Sequence, residues 1–335
     1  MKAFQSIPKA ILYFFDKSIW VSVPELGLIE KGYTSQDYDH KVVDLMKGEN
    51  FNPEFLKLNP TGTIPVFVAP INIPEGNQKQ EYKILTQSTD ILEYVDTTWK
   101  PLNRATNEKP LPSLSPETAS LKSESDQLIS LLHEDVHDPN FLLLGCINDD
   151  QLKERGAEGS MMRQYVENRV NALKNNLVTY PTADKTIKDF WQSKLQTEQK
   201  TLDILLMKAP QSDVEAFFNR TRVSWKSCVS LLGQFVNTIT TNKGEFILGQ
   251  KVTLVDIQLA PWLARFLLIL GYTTPPPSSL TSIELQQRLE KVLKLIPAYE
   301  IDQNQLGKTC VGLEKYWNSW SKRESFKKVY ADGLH

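Results

Sequence analysis

Asn59-Pro60-Thr61-Gly62-Thr63-Ile64-Pro65 runs straight into the apolar Val66-Phe67-Val68, and beyond a second strand-like run Thr86-Gln87-Ser88-Thr89 opens a helical pattern. Proline is tolerated at the entry of a strand, and an X-Pro bond is where a cis peptide occurs. A hydroxyl and an amide at the start of a helix sit among free backbone N–H groups, where the helix dipole favours a carboxylate. A strand edge able to pair with a peptide backbone, beside a helix start able to hold a carboxylate, describes a small pocket for an acidic peptide.

Upstream of this stretch, Ile11-Leu12-Tyr13-Phe14-Phe15 reads as a buried strand, and a helix is expected over 20–31, closed by Gly32 with Pro24 in its first turn. A second strand is expected over 41–45, and a short helix over 52–58 behind the Asn52 cap. Strand 64–69, a polar hairpin loop over 70–80, strand 81–85 and helix 88–98 complete an order β-α-β-α-β-β-α. A mixed four-stranded sheet covered by helices fits that order. Residues 101–116 are rich in Pro, Asn and Ser and read as a linker. From 117 to 335 the pattern is helical: about 115–134, then a long charged region 141–210 with amphipathic candidates at 161–177 and 186–207, then 213–240. Thr253-Leu254-Val255-Asp256 forms a capping box at the head of the most apolar helix, which Pro275-Pro276-Pro277 terminates. Helices over 282–295 and 309–330 close the pattern.

The chain has 335 residues, 41% hydrophobic and 23% charged, which predicts a soluble protein of two or three domains. Its 38 Lys and Arg against 40 Asp and Glu give a formal charge of -2 and no basic excess, so no nucleic-acid partner is expected. The longest apolar stretch, 257–270, is interrupted by Pro261 and Arg265 and is too short to span a bilayer; no signal peptide is expected. Cys146, Cys228 and Cys310 follow no metal or redox spacing and read as reduced packing residues, which places the protein in the cytoplasm. His133-Glu134-Asp135-Val136-His137 spells a zinc-peptidase pattern, but Pro139 ends the helix at once, so a chance spelling and no metal are expected.

These residues together resemble the glutathione transferases. The resemblance rests on the Asn-Pro-x-Gly-x-Ile-Pro segment, the Gln87-Ser88 pair, Phe246-Ile247-Leu248-Gly249, Thr253 to Asp256, and Ala260-Pro261-Trp262-Leu263-Ala264-Arg265. The ending from Tyr316-Trp317 through Arg323-Glu324-Ser325-Phe326-Lys327 is similar to the last helix of many fungal members. Residues 9–99 and 213–330 carry the likeness; 141–210 looks like an insertion that enlarges the second domain. The resemblance implies a thioredoxin-like first domain (1–100) that holds glutathione as co-substrate and an all-α second domain that shapes an electrophile site. It also implies detoxification chemistry and a homodimer.

Carried over by position, Ile64 offers its backbone N–H and C=O to the cysteinyl part of glutathione beside a cis-Pro65. Ser88 binds the γ-glutamyl carboxylate with Gln87 at the same end, where the family more often has Glu. Lys57, Asn59 and His40 are candidates for the glycyl carboxylate, with surface solvation the alternative. The thiol-activating group of tyrosine-type members falls at Phe14, which has no hydroxyl; that of serine-type members falls at Ser18. An ordinary thiol is only about 3% ionised at pH 7, and a hydroxyl plus a helix N-terminus lowering its pKa by about 2 units makes most of it nucleophilic. An ordinary N-cap is the other reading of Ser18. Trp20 either caps the electrophile pocket or packs on the second domain, and Phe141, with Tyr165, Phe190 and Met161-Met162, either lines that pocket or belongs to ordinary packing. The expected activity is transfer of the glutathione thiolate to an apolar electrophile, by substitution, conjugate addition or ether cleavage. The alternative is a non-enzymatic carrier of hydrophobic ligands or a docking module.

Overall fold

A computed structural model describes residues 9–71, 81–101, 111–272 and 280–335. Of the polar loop expected over 70–80, residues 70–71 belong to a strand and 72–80 lie outside the described residues, as do most of the linker (102–110) and the three prolines at 275–277. The first domain consists of β1 (Ala10–Phe14), α1 (Ile19–Glu30), β2 (Tyr38–Val42), α2 (Pro53–Leu58), β3 (Val66–Ile71), β4 (Glu81–Leu85) and α3 (Ser88–Thr97). The sheet order is β2-β1-β3-β4; β2 runs parallel to β1, and β3 is antiparallel to both β1 and β4. This is a thioredoxin-like sheet.

Two local details explain where expectation and structure part. The second strand was expected over 41–45, on the apolar pair Val42-Val43, but β2 begins at Tyr38 and pairs from Ala10 onward. It is an edge strand whose residues after Tyr38 are exposed, Val42 at 60%, so hydrophobic patterning does not mark its bounds. Helix α1 starts at Ile19, which moves Pro24 from the first turn to the second. Its end is as expected: Gly32 takes φ +84°, its N–H reaches the Ile29 carbonyl (2.9 Å), and that of Tyr33 reaches the Leu28 carbonyl (2.9 Å).

Every remaining regular element except two 3-10 turns is helical: α4 (Ala119–Leu132), α5 (Pro139–Leu144), α6 (Asp149–Gly156), α7 (Met161–Thr179), α8 (Lys185–Leu205), α9 (Gln211–Asn242), α10 (Leu254–Ile269), α11 (Ser282–Leu293), α12 (Gln303–Trp320) and α13 (Glu324–Val329). Among the described residues no helix is long and apolar enough to cross a membrane. Helix α10 is buried from Leu254 to Leu267 and forms the axis of the largest core, which also takes in Val23 and Leu26 of α1 and Leu92 of α3. The two domains therefore share one apolar core. Its capping box closes as expected: Asp256 accepts from Thr253 N (2.9 Å) and Oγ1 (2.8 Å), and its other oxygen from Ile247 N (2.8 Å). The last helix, expected as one piece over 309–330, is two. Arg323 is drawn out of the helical path to hold Glu30 of α1 with both its Nε and Nη2, and Ser325 joins the same carboxylate.

The segment between α4 and α9 has its own small core, built by Cys146, Leu152, Val166, Val170, Leu202, Leu205, Val214 and Phe218. A buried ion pair, Arg169 Nη2 to Glu198 Oε1 at 2.8 Å, joins α7 to α8. This hairpin lies on the first domain. Trp191 Nε1 (2.8 Å) and Asn176 Nδ2 (2.9 Å) both donate to the Phe51 carbonyl, and Phe51 and Leu56 pack with Leu173 and Trp191.

Candidate functional site

The strand register brings the separate motifs to one end of the sheet. Tyr13 pairs with Val66 and Phe67 with Leu85, so the C-terminal end of β1, the N-terminal end of β3 and the C-terminal end of β4 coincide. Ser18 follows the first, Ile64-Pro65 precedes the second, and Gln87-Ser88 follows the third.

The Ile64-Pro65 peptide is cis. Ile64 lies before the ladder begins at Val66, and among the described residues its backbone N–H and C=O have no partner. A buried residue with both backbone groups open is a ready edge for a ligand's peptide unit. The loop that presents it is held from below. The side chain of Asn59, 1% exposed, donates to Thr63 O (2.7 Å) and Thr63 Oγ1 (3.0 Å) and accepts from Thr61 N (3.2 Å) and Thr61 Oγ1 (2.8 Å). Asn59 is thus spent on shaping the turn and is not free for a glycyl carboxylate. Asn50 Nδ2 adds a bond to the Gly62 carbonyl (2.7 Å). Gly62 takes φ +63°, and a Cβ there would come within 2.8 Å of the Phe190 ring.

Ser88 is the buried first residue of α3, with the exposed Gln87 at the N-cap position, and Gln87 makes no side-chain cap bond. The N–H groups of the first turn are therefore open to an anion. Ser18 stands in extended geometry (φ -102°, ψ 114°) before α1, half-buried, and its hydroxyl makes no cap bond. Its N–H donates to Phe15 O (3.0 Å), while its carbonyl accepts from Val21 N (3.1 Å) and Ser22 N (3.2 Å). Ser18 thus holds the N-cap position of α1, with a hydroxyl that makes no cap bond.

Other expected residues are placed elsewhere. His40 Nε2 meets Glu25 Oε1 at 2.9 Å, and its ring rests between Phe14 (4.5 Å) and Tyr38 (5.3 Å), so it belongs to the β2–α1 contact. Lys57 pairs with Glu54 at 2.6 Å on the exposed face of α2. Trp20 stacks on His133 at 4.4 Å and thus packs on the second domain. Phe141 is half-buried, edge-on to Phe217 (5.9 Å), with the Arg220 guanidinium 4.0 Å over its ring. Tyr13 is buried against Phe55 and Ile64 and Phe14 packs on His40. The zinc-peptidase spelling straddles the end of α4 and a 3-10 turn, so the two histidines share no helix face. His137 Nδ1 donates to the Leu131 carbonyl (2.6 Å), which fixes that nitrogen as protonated.

Arg265, which in the sequence only interrupts an apolar run, reaches the Lys17 carbonyl, next to Ser18, at 2.7 Å. A single cation in the most apolar helix was the available signal.

Residues 18–98 match the family described as Glutathione S-transferase, N-terminal domain. The match is confined to the amino-terminal domain. Glutathione S-transferase 1 of Dianthus caryophyllus is 47% identical over 60 residues, and the zeta-class glutathione S-transferase of Euphorbia esula is 43% identical over 61. Each match covers 18% of this chain and 26% of the relative, so it spans about a quarter of those proteins. The beta-etherase LigF of Sphingobium sp. strain SYK-6 shares the fold across both domains: TM-score 0.54 at 16% identity, covering 97% of this chain and all of that one. The site described above lies within the residues that match that family model, with a helical domain behind it.

Proposed function

We propose that the protein is a glutathione transferase of serine type that adds the thiolate of glutathione to an apolar electrophile. The observation that supports this most is the convergence at one sheet end of three unspent groups: the backbone of Ile64 beside cis-Pro65, the open first turn of α3 at Ser88, and the hydroxyl of Ser18. The first fits the cysteinyl peptide unit, the second the γ-glutamyl carboxylate, and the third the sulfur. Glutathione held this way presents its thiol to the Ser18 hydroxyl and to the N-terminus of α1, which stabilise the thiolate. Attack on an electrophile then gains from positioning. Substitution on an activated ring, conjugate addition and ether cleavage all use this one nucleophile. A cytosolic, detoxifying homodimer completes the reading.

Conjugation of glutathione to a generic aryl halide, compared between wild type and Ser18→Ala, tests it. The reading expects wild-type turnover and a drop of about 25-fold in kcat at pH 7 for the variant, the thiolate loss that a shift of about two pKa units, from about 6.5 to about 8.5, entails. Glutathione binding without turnover toward any electrophile class would favour a carrier instead. Equal turnover in the variant would remove Ser18 from the mechanism.

A further inference from the structure

A buried cation lies beside the proposed thiol seat with only neutral partners. Arg265 of α10 is 5% exposed. Its Nη2 donates to the Lys17 carbonyl (2.7 Å), its Nη1 to Asn140 Oδ1 (2.8 Å), and its Nε has no partner. Asp138, Tyr165 and Tyr330 surround it, with His335 also within its electrostatic reach, and Lys17 acts on that same imidazole. Among the described residues it makes no ion pair, while the Asp138 carboxyl, pushed up by burial and held down by the guanidinium, is the one acidic side chain whose charge reaches it. Burial also pushes Arg265 itself down to about 10, still well above neutral pH, so the guanidinium stays charged. An ionised group out of water without a counter-charge is costly, and such groups persist where an anion comes to meet them.

The acceptor it holds is informative. The Lys17 carbonyl belongs to the peptide that carries the Ser18 N–H, and that N–H is already bonded to Phe15 O at 3.0 Å. The Lys17–Ser18 peptide is thereby pinned at both its polar atoms, one by the first domain and one by the second. Asn140 sits on α5 beside Phe141, so the guanidinium bridges the thiol loop and the segment expected to face the electrophile.

We propose that Arg265 is a positioning residue for the thiol site, fixing the Lys17–Ser18 peptide and setting a buried positive charge beside the seat of the thiolate. The inference rests on the reading of Ser18 as the thiol-activating group. When the bound thiol ionises its proton leaves to solvent, and the negative sulfur adds an opposite charge beside a guanidinium that makes no ion pair.

The test follows the ultraviolet thiolate absorbance of bound glutathione against pH in wild type, Arg265→Gln, Arg265→Lys and Asn140→Asp, with glutathione Kd and kcat measured alongside. Arg265→Gln is expected to raise the titration midpoint by about one unit and to lower kcat about tenfold below the midpoint, with KM for glutathione little changed. Arg265→Lys keeps the charge and is expected to stay near wild type. Asn140→Asp sets a carboxylate against the guanidinium without touching Ser18 and is expected to raise the midpoint in the same direction. Should Arg265→Gln fail to fold, the Asn140→Asp result decides alone. Midpoints unchanged in variants that still bind glutathione would make Arg265 merely structural and overturn the proposal while leaving the transferase reading intact. Absence of glutathione binding by wild type would overturn both.

Discussion

The sheet end of the first domain and the α5–α8 segment touch each other, yet they are built on different physics. At the sheet end nearly every residue is dictated by backbone geometry: a cis peptide before Pro65, a positive φ at Gly62, an Asn59 amide satisfied by two threonines, and an uncapped helix start at Ser88. The α5–α8 segment is held by side chains that meet across long sequence distances, such as Arg169 with Glu198 and Trp191 with Phe51. Backbone-determined sites demand particular residue types and so leave a mark in the sequence. Packing surfaces demand only volume and a satisfied donor, and leave almost none.

The comparison breaks most severely at the joint between the two regions. Trp191 is fully buried and donates to the Phe51 carbonyl. Trp191→Ala is expected to cost about 3–5 kcal/mol in urea unfolding, from the lost indole and the cavity left behind. Because Phe51 follows Asn50, whose side chain holds Gly62, glutathione affinity should fall as well. A loss of stability with unchanged affinity would mean that the hairpin is a passive cover.

A pH measurement separates backbone capping from packing in the second domain. Burial pushes Asp256 up from 3.8 to about 6, against the donors of Ile247 and Thr253. A carboxyl whose folded pKa lies above its unfolded one favours the protonated fold. Its contribution is present below about pH 4 and is lost as pH rises through about 6, a change of roughly 3 kcal/mol for this fully buried group. Thermal melts between pH 4 and 7 should show that decline superimposed on the rest, and Asp256→Asn should remove it. An identical pH slope in the variant would contradict the assignment.

Gly62→Ala is expected to be costly at a single methyl. The positive φ and the 2.8 Å approach of Phe190 together should destabilise by about 2 kcal/mol and weaken glutathione binding. Pairing it with Phe190→Ala sharpens the comparison: relief of the contact recovers part of the stability, whereas the φ cost remains. At the small end, Lys57→Ala removes only an exposed pair with Glu54 and should change stability by less than about 0.5 kcal/mol, with unaltered glutathione Kd.

Pro65 and Gly32 in the first domain and the Thr253–Asp256 box in the second were legible because each is tied to one backbone requirement. Sequence reasoning misplaced β2 because an edge strand needs no apolar alternation. It missed α5 and α6, which are short and depend on tertiary contacts, and it merged α12 with α13 because the break is set by Glu30, far away in sequence. The same limit applies within the site. The places of Ser18 before α1, Ile64 before β3 and Ser88 at the start of α3 were readable from local pattern, whereas the ring contacts of His40, the turn role of Asn59 and the reach of Arg265 to Lys17 depend on which distant atoms arrive beside them.

Calorimetric titration of glutathione into the intact protein, with Ser88→Ala as the comparison, bears most directly on whether the sheet end is a tripeptide seat. Saturable heat of one-to-one stoichiometry, weakened at least tenfold when the Ser88 hydroxyl is removed, is the predicted result. No heat with wild type, or equal affinity in both proteins, would mean that the open Ile64 edge and the α3 start do not hold the ligand.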